Sequence, residues 1–175
     1  FVKAGIDDRV VFQGSGKLGF PETGLLAMSL GCDMIAIARE AMLSIGCIQA
    51  QKCHTGHCPA GIATQNKWLM RGLEPTLKAA RAANYIATLR KELLRLARTC
   101  GQPHPGLVPL DRLEILDGHF QGHNAADVFK YQPHWGLPSL EDQQAIGKIM
   151  AMPPGERNGH DARHTNNRIM GDVPI

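Results

Sequence analysis

Three cysteines within one short segment constrain this chain more than any other feature. Cys47, Cys53 and Cys58 follow the spacing C-x5-C-x4-C, and Pro59 comes directly after the last of them. Closely spaced thiolates in a loop are what an iron–sulfur cluster requires of a protein. Proline after the last thiol restricts the backbone at that point. The segment therefore predicts a loop over residues 46–66 that holds a thiolate-bound group.

The spacing alone leaves other uses of these thiols open. A zinc site could combine the three thiols with His54 or His57 as the fourth ligand. Disulfide pairing would leave one of the three cysteines unpaired, and unligated thiols are a further alternative. If a cluster is bound, the lack of a fourth cysteine nearby favours a three-iron cluster over a four-iron one. Cys32 and Cys100 are expected to be a buried apolar residue and an inert thiol, respectively.

Length and charge restrict the class of protein. The chain has 175 residues and a formal net charge of +3. This length suits one domain, and this charge is too small to indicate binding to nucleic acid or to a membrane surface. No apolar run approaches the roughly 20 residues of a membrane span. Free thiols indicate a reducing compartment, so we expect a cytoplasmic protein.

The first part of the chain alternates between strand and helix patterns. Residues 10–13 form a short β-branched and aromatic run, which predicts a buried parallel strand. A helix is predicted from Pro21 to Leu30, because proline is well tolerated in a first helical turn. A second strand is predicted over residues 34–38, and a short helix over residues 39–45. This order is typical of a parallel α/β fold.

Each predicted strand is followed by a loop that suits a phosphate group. A glycine-rich turn lets backbone N–H groups approach a phosphate, because no Cβ intervenes. An arginine after the second strand adds a planar fork that matches phosphate geometry, whereas a lone lysine could equally be solvated. A Gly-Ser-Gly sequence by itself is also compatible with a simple tight turn. The candidate phosphate-binding residues are Gly14, Ser15, Gly16, Lys17, Ala38 and Arg39.

A long helix is predicted over residues 74–99, with apolar residues at helical spacing. Its many basic residues are interrupted by Glu92 and have no aromatic face beside them, so we expect a solvated outer face. Residues 101–175 form a C-terminal extension that is partly irregular. A short strand or helical turn is predicted at Leu113–Leu116, a helix at Asp142–Met150, and a polar tail from Pro153 to Ile175.

The stretch from Val10 to Gln65 resembles the FMN-binding domain of the glutamate synthase family. The resemblance implies a (β/α)8 barrel, of which residues 1–100 would be the C-terminal βα units with an inserted iron–sulfur loop. It further implies that Cys47, Cys53 and Cys58 bind a [3Fe-4S] cluster beside an FMN. The segments that carry the resemblance are Gly14-Ser15-Gly16-Lys17, Leu30-Gly31-Cys32-Asp33, Ala38-Arg39 and Gly46-Cys47-Ile48-Gln49, followed by the cysteine loop.

The resemblance also implies a reaction and partners. In the family, 2-oxoglutarate and ammonia, or glutamine as the ammonia source, give L-glutamate at the flavin. A reductase subunit or a ferredoxin supplies electrons through the cluster. No catalytic residue can be assigned within these residues. Two other classes stay open: an iron–sulfur electron-transfer or assembly module, and a related amine-forming synthase with another substrate.

The first residues raise an expectation about the rest of the barrel. Phe1 to Gly5 resemble the end of a helix, so we expect the earlier βα units upstream of Phe1 or on another chain. Open strand edges would then remain on residues 1–175. We therefore expect these residues alone neither to bind FMN tightly nor to form glutamate.

Overall fold

The structure, a computed structural model, describes residues 1–153. It divides the chain into one compact unit over residues 1–138 and a second unit that begins at Ser139. Residues 101–138, the first part of the predicted extension, thus belong to the first unit. The predicted polar tail lies outside the described residues, except for Pro153. None of the helices within residues 1–153 has the length and apolar character that crossing a lipid bilayer demands.

Strands and helices alternate at the start of the chain, as predicted. Strand β1 (Gln13–Ser15), helix α1 (Pro21–Ser29), strand β2 (Met34–Ala36) and helix α2 (Arg39–Ser44) follow one another. The two strands pair in parallel, with Gly14 opposite Ile35. The prediction of a mixed α/β fold is confirmed, while its placement within a (β/α)8 barrel stays a prediction.

The first strand lies later in the chain than predicted. The expected strand covered residues 10–13, whereas β1 begins only at Gln13. The Asp33 carboxylate accepts a hydrogen bond from Phe12 N at 2.8 Å, and Phe12 O accepts bonds from Asp33 N and Met34 N. Phe12 is thus held by the Asp33 side chain and by the start of β2, and the paired strand begins at the next residue.

Long helix α3 (Pro75–Thr99) confirms the predicted long helix and supplies much of the core. Pro75 occupies its first position, where a missing N–H costs least. The buried apolar residues that form the core are Leu25 of α1, Leu89, Leu93 and Ala97 of α3, and Val108. The five basic residues that were expected on a solvated face are all exposed: Arg81, Arg90, Lys91, Arg95 and Arg98.

The chain after α3 continues within the first unit. Strand β3 (Glu114–Leu116) pairs antiparallel with strand β4 (Gly122–Asn124), and helix α4 (Ala125–Phe129) follows. The strand at residues 114–116 agrees with one of the two predicted alternatives, but β4 and α4 were missed. Tyr131 donates a hydrogen bond to the Leu30 carbonyl at 2.8 Å, which joins this segment to the end of α1.

The second unit contains helix α5 (Leu140–Ala151), which confirms the helix predicted over Asp142–Met150. Ser139 is its N-cap, because the Ser139 hydroxyl accepts a hydrogen bond from Asp142 N at 3.1 Å. The same hydroxyl donates to the Asp142 carboxylate at 2.7 Å. These local bonds define where the helix begins.

We expect the substitution Leu93→Ala to destabilise the first unit strongly. Leu93 is 9% exposed within the core, and removing a buried leucine side chain typically costs about 2–5 kcal/mol of unfolding free energy. Urea denaturation measures the change. Leu77→Ala on the same helix is the control, because Leu77 is 54% exposed and surface changes usually stay within about 0.5 kcal/mol. Equal losses in both variants would contradict this core assignment.

The N-cap of α3 predicts a pH-dependent contribution to stability. The pKa of Glu74 lies below its usual value, mainly because its carboxylate accepts hydrogen bonds from Leu77 N and then Thr76 N. A carboxyl whose folded pKa is lowered stabilises the fold above its unfolded pKa, and this stabilisation is lost as the pH falls through the folded pKa. The stability difference between the wild type and Glu74→Gln should therefore be largest near neutral pH and vanish in acid.

Thermal unfolding at several pH values between 7 and the acid limit of folding tests this expectation. Glu22→Gln, which removes an exposed carboxylate from the first turn of α1, is the matched control. A wild-type advantage over Glu74→Gln that persists unchanged in acid would rule out the capping carboxylate as its source.

Candidate functional site

The two candidate phosphate loops leave the sheet at the same edge. Ser15, the last residue of β1, lies opposite Ala36, the last residue of β2. Because the strands are parallel, the loops that follow them start side by side. Ser15, Lys17 and Arg39 are all exposed at this edge. The structure thus brings the loop starts of the two predicted halves of the phosphate site together.

Gly14, within β1, and Gly16, in the loop that follows it, have different environments. A methyl group on Gly14 would lie 2.9 Å from Cys32 Sγ and 3.1 Å from Leu18 Cδ1, so packing already requires glycine there. Gly16 has φ +117°, a conformation that side chains disfavour. A methyl group on Gly16 would meet no atom within 4 Å. Open space beside the Gly16 backbone fits the approach of a phosphate or another group.

Hydrogen bonds from two helices hold the same loop. The Thr23 hydroxyl donates to Lys17 O at 3.0 Å, and the Tyr85 hydroxyl of α3 donates to Gly19 O at 2.8 Å. A methyl group on Gly19 would lie 2.5 Å from both Glu40 Cγ and the Tyr85 oxygen. Burial, and secondly the Glu40 charge, raises the pKa of Tyr85, which keeps its hydroxyl protonated as a donor.

The first two thiols of the cysteine loop have different exposures. Cys47 follows α2 by three residues, is half-buried, and its sulfur accepts a hydrogen bond from Gln49 N at 3.4 Å. Cys53 is exposed and begins a 3₁₀ turn over Cys53–Thr55. One sulfur therefore already has an N–H partner, while the other faces solvent.

Cys58 is the buried thiol of the loop, with only 7% of its surface exposed. Its pKa is lowered, mainly by backbone hydrogen bonds from Ala63 and Ile62 and less by those from Ala60 and Gly61, against the opposing effect of burial. Amide N–H groups directed at a sulfur stabilise its thiolate form. The thiolate is the form that binds iron or zinc, so Cys58 is prepared for ligation.

Tight turns shape the rest of this loop. Gly61 has φ +76°, and a methyl group there would clash with the Leu69 carbonyl oxygen. The Asn66 side chain accepts hydrogen bonds from Trp68 N and Leu69 N. Since Gly61 lies within the segment whose N–H groups surround the Cys58 sulfur, this close approach helps to fix the third thiol.

Both histidines of the loop are exposed. His57 Nδ1 lies 2.8 Å from Thr55 O. Within residues 1–153, no three His, Cys, Asp or Glu side chains are gathered closely enough to hold a metal ion. A zinc ion needs its donors within about 2.0–2.3 Å, whereas the cysteines of a cluster bind separate irons and stand farther apart.

The donor set fits a thiolate-bound cluster in its chemistry. None of the five cysteines is in a disulfide, and backbone N–H groups point at the sulfurs of Cys47 and Cys58. Hydrogen bonds to sulfur are among the features by which proteins adjust iron–sulfur clusters. The assignment of a [3Fe-4S] cluster to these thiols, and of FMN to the strand-end loops, stays a prediction.

Comparison with known families shows to which family the chain belongs. A family profile described as "Conserved region in glutamate synthase" matches residues 1–103, more than half of the chain. The chain belongs to the glutamate synthase family. The match covers both strand-end loops, the cysteine loop and all of α3, so the candidate site lies within the part that is common to the family.

Individual relatives agree with this family. The glutamate synthase large subunit-like protein YerD of Bacillus subtilis is 41% identical over 101 residues, 58% of this chain and 19% of the relative. The archaeal glutamate synthase (NADPH) of Methanocaldococcus jannaschii is 33% identical over 97 residues, 55% of this chain and 19% of the relative. The archaeal-type glutamate synthase (NADPH) of Thermotoga maritima is 40% identical over 106 residues, 61% of this chain and 19% of the relative. The chain thus spans about a fifth of the length of these relatives.

Two side chains that support the candidate site were not predicted from the sequence. Tyr85 holds the first phosphate loop, and the buried carboxylate of Glu40, only 7% exposed, lies beside that contact. A tyrosine within the apolar stripe of α3 was an available signal, because a buried tyrosine hydroxyl usually finds a partner. Glu40 offered no such signal, because an acidic residue in a first helical turn is ordinary.

Proposed function

We propose that this chain provides the cofactor-binding part of an enzyme that forms L-glutamate by reductive amination of 2-oxoglutarate. The observation that carries the proposal is the succession of two strand-end loops at one sheet edge and a thiol-rich loop. Helix α2, whose six residues span about 9 Å, and the two residues after it are all that separates Ala38 from Cys47 in the chain. A flavin site and an electron-transfer cluster need this kind of proximity.

In this proposal the strand-end loops bind the FMN phosphate. Backbone N–H groups of Gly14, Ser15 and Gly16 face the phosphate from one side. Arg39 adds a charged fork from the start of α2, and Lys17 is a second counter-charge. Tyr85 and Thr23 keep the first loop in place through their bonds to Gly19 O and Lys17 O, which reduces the ordering that binding would require.

Cys47, Cys53 and Cys58 hold the [3Fe-4S] cluster in this proposal. FMN would supply hydride transfer to an imine of 2-oxoglutarate, and the cluster would supply single electrons. N–H groups around the Cys58 sulfur lower the pKa of that thiol and favour its charged form. Ammonia or glutamine is the proposed nitrogen source, and a reductase subunit or a ferredoxin is the proposed electron donor.

Reconstitution of the native polypeptide that contains these residues tests the proposal. The protein is treated anaerobically with iron, sulfide and FMN, and is then assayed for glutamate from 2-oxoglutarate and ammonia with dithionite as reductant. Flavin, cluster and glutamate together are the expected result. A loaded protein whose flavin is reduced without glutamate formation indicates an electron-transfer module, and turnover only with another acceptor indicates a related synthase. Failure to load either cofactor would refute the proposal.

A further inference from the structure

The ammonium group of Lys78 lies directly against the backbone that leads into the cysteine loop. A methyl group on Gly46 would be 2.8 Å from Lys78 Nζ and 3.8 Å from Lys78 Cε. Gly46 also has φ +102°, so a side chain there would be strained as well as obstructed. Cys47, the first candidate cluster ligand, is the next residue. A lysine from α3 is thus placed beside the entry to the cysteine loop.

This lysine occupies an electrostatically unfavourable place in its helix. Lys78 is the fourth residue of α3, and the N-terminal end of a helix carries a partial positive charge that repels cations. Its side chain is half-buried, and it takes part in none of the ion pairs found within residues 1–153. The Glu74 carboxylate four residues earlier offsets part of this repulsion, and the Lys78 ammonium group also lies beside Gly46.

Lys78 has an acidic neighbour on its own helix end, Glu74, and none in the cysteine loop. Residues 41–73, which include the whole cysteine loop, contain no aspartate or glutamate. The Glu74 carboxylate accepts hydrogen bonds from Thr76 N and Leu77 N, and the Lys78 charge acts on it as well. The cysteine loop carries the charge of Lys52 and no acidic residue, and Lys78 adds a second cation from the helix side.

We propose that Lys78 tunes the reduction potential of the cluster bound by Cys47, Cys53 and Cys58, and holds it at a less negative value. The inference rests on the proposed function. A thiolate-bound cluster gains one negative charge when it accepts an electron, and a fixed cation nearby stabilises the reduced form more than the oxidised form. Without the ammonium group the reduced form loses this extra stabilisation, so the cluster should become harder to reduce.

The midpoint potential of the reconstituted cluster tests this inference. It is measured by a spectroscopically monitored titration with dithionite, beside iron, sulfide and thermal unfolding. Lys78→Gln should shift the potential to more negative values, by about a tenfold change in the one-electron equilibrium constant, or about 59 mV. Lys78→Arg keeps the charge and should stay close to the wild type. Lys91→Gln is the matched control, because Lys91 is exposed and lies 13 residues farther along α3, about 20 Å away, well beyond the Debye length.

A second variant, with an expected shift in reduction potential of the opposite sign, tests the inference if Lys78→Gln does not fold. Glu74→Gln removes the acidic neighbour and should shift the potential to less negative values. An unchanged potential in Lys78→Gln with full cluster content, or equal shifts in Lys78→Gln and Lys91→Gln, would overturn the tuning role and leave the proposed function standing. A wild-type protein that takes up no cluster would instead refute the proposed function itself.

Discussion

Replacing Cys58 with serine is expected to abolish cluster binding. Cys58 is buried, and backbone N–H groups around its sulfur lower its pKa and favour the thiolate. A serine hydroxyl keeps the shape but cannot supply a thiolate, so one of the proposed ligands is lost. After anaerobic reconstitution, the wild type should contain about three irons and four sulfides per chain, the stoichiometry of a [3Fe-4S] cluster. Cys58→Ser should contain almost none.

Cys53→Ser and Cys100→Ser complete this experiment. Cys53 is exposed, so its substitution tests ligation with little effect on packing, and it should also lose the cluster. Cys100 lies at the end of α3, outside the cysteine loop, and Cys100→Ser should keep normal iron and sulfide. Zinc in place of iron in the wild type, or a cluster that tolerates Cys53→Ser, would contradict the assignment of the three thiols.

Replacing Ser15 with glutamate is expected to expel FMN. Ser15 is exposed at the end of β1, and it lies opposite Ala36, from which the second candidate phosphate loop begins. A carboxylate there would stand against the doubly charged phosphate, and like charges at short range are strongly unfavourable. In the native polypeptide, the flavin content measured by absorbance should fall to nearly zero.

Two control variants separate charge at this site from general effects. Ser15→Ala removes the hydroxyl without adding charge and should keep most of the flavin, since backbone N–H groups supply the main contacts in this proposal. Gln144→Glu adds the same charge at an exposed position of α5 and should bind FMN normally. Unchanged flavin in Ser15→Glu would show that the phosphate sits elsewhere.

Much of the local structure followed from short sequence signals. Pro21 and Pro75 marked the starts of α1 and α3, because proline's fixed φ suits a first helical turn and acts within that turn. Gly31 marked the end of α1 and adopts φ +95°. The apolar spacing along α3 identified its buried face, since helical periodicity depends only on residues a few positions apart. The residue types of the candidate cofactor loops were likewise visible in the sequence.

Contacts between distant residues were decided by the tertiary structure alone. The Asp33 carboxylate accepts a hydrogen bond from Phe12 N across 21 residues. Tyr85 holds the Gly19 carbonyl across 66 residues, and Tyr131 holds the Leu30 carbonyl across 101. The local sequence around each residue does not predict these partners, because a hydrogen bond depends on where the backbone places two groups in space.

The proposed role of Lys78 likewise depends on the tertiary structure and not on the local sequence. By itself the sequence shows one more cation on a helix rich in basic residues, and such charges are ordinarily solvated. The packing of α3 against α1 and α2 turns this particular side chain towards Gly46, at the entry to the cysteine loop. Which helix face meets which loop is set by the burial of Leu89, Leu93 and Ala97 in the core, and this choice exists only in the folded chain.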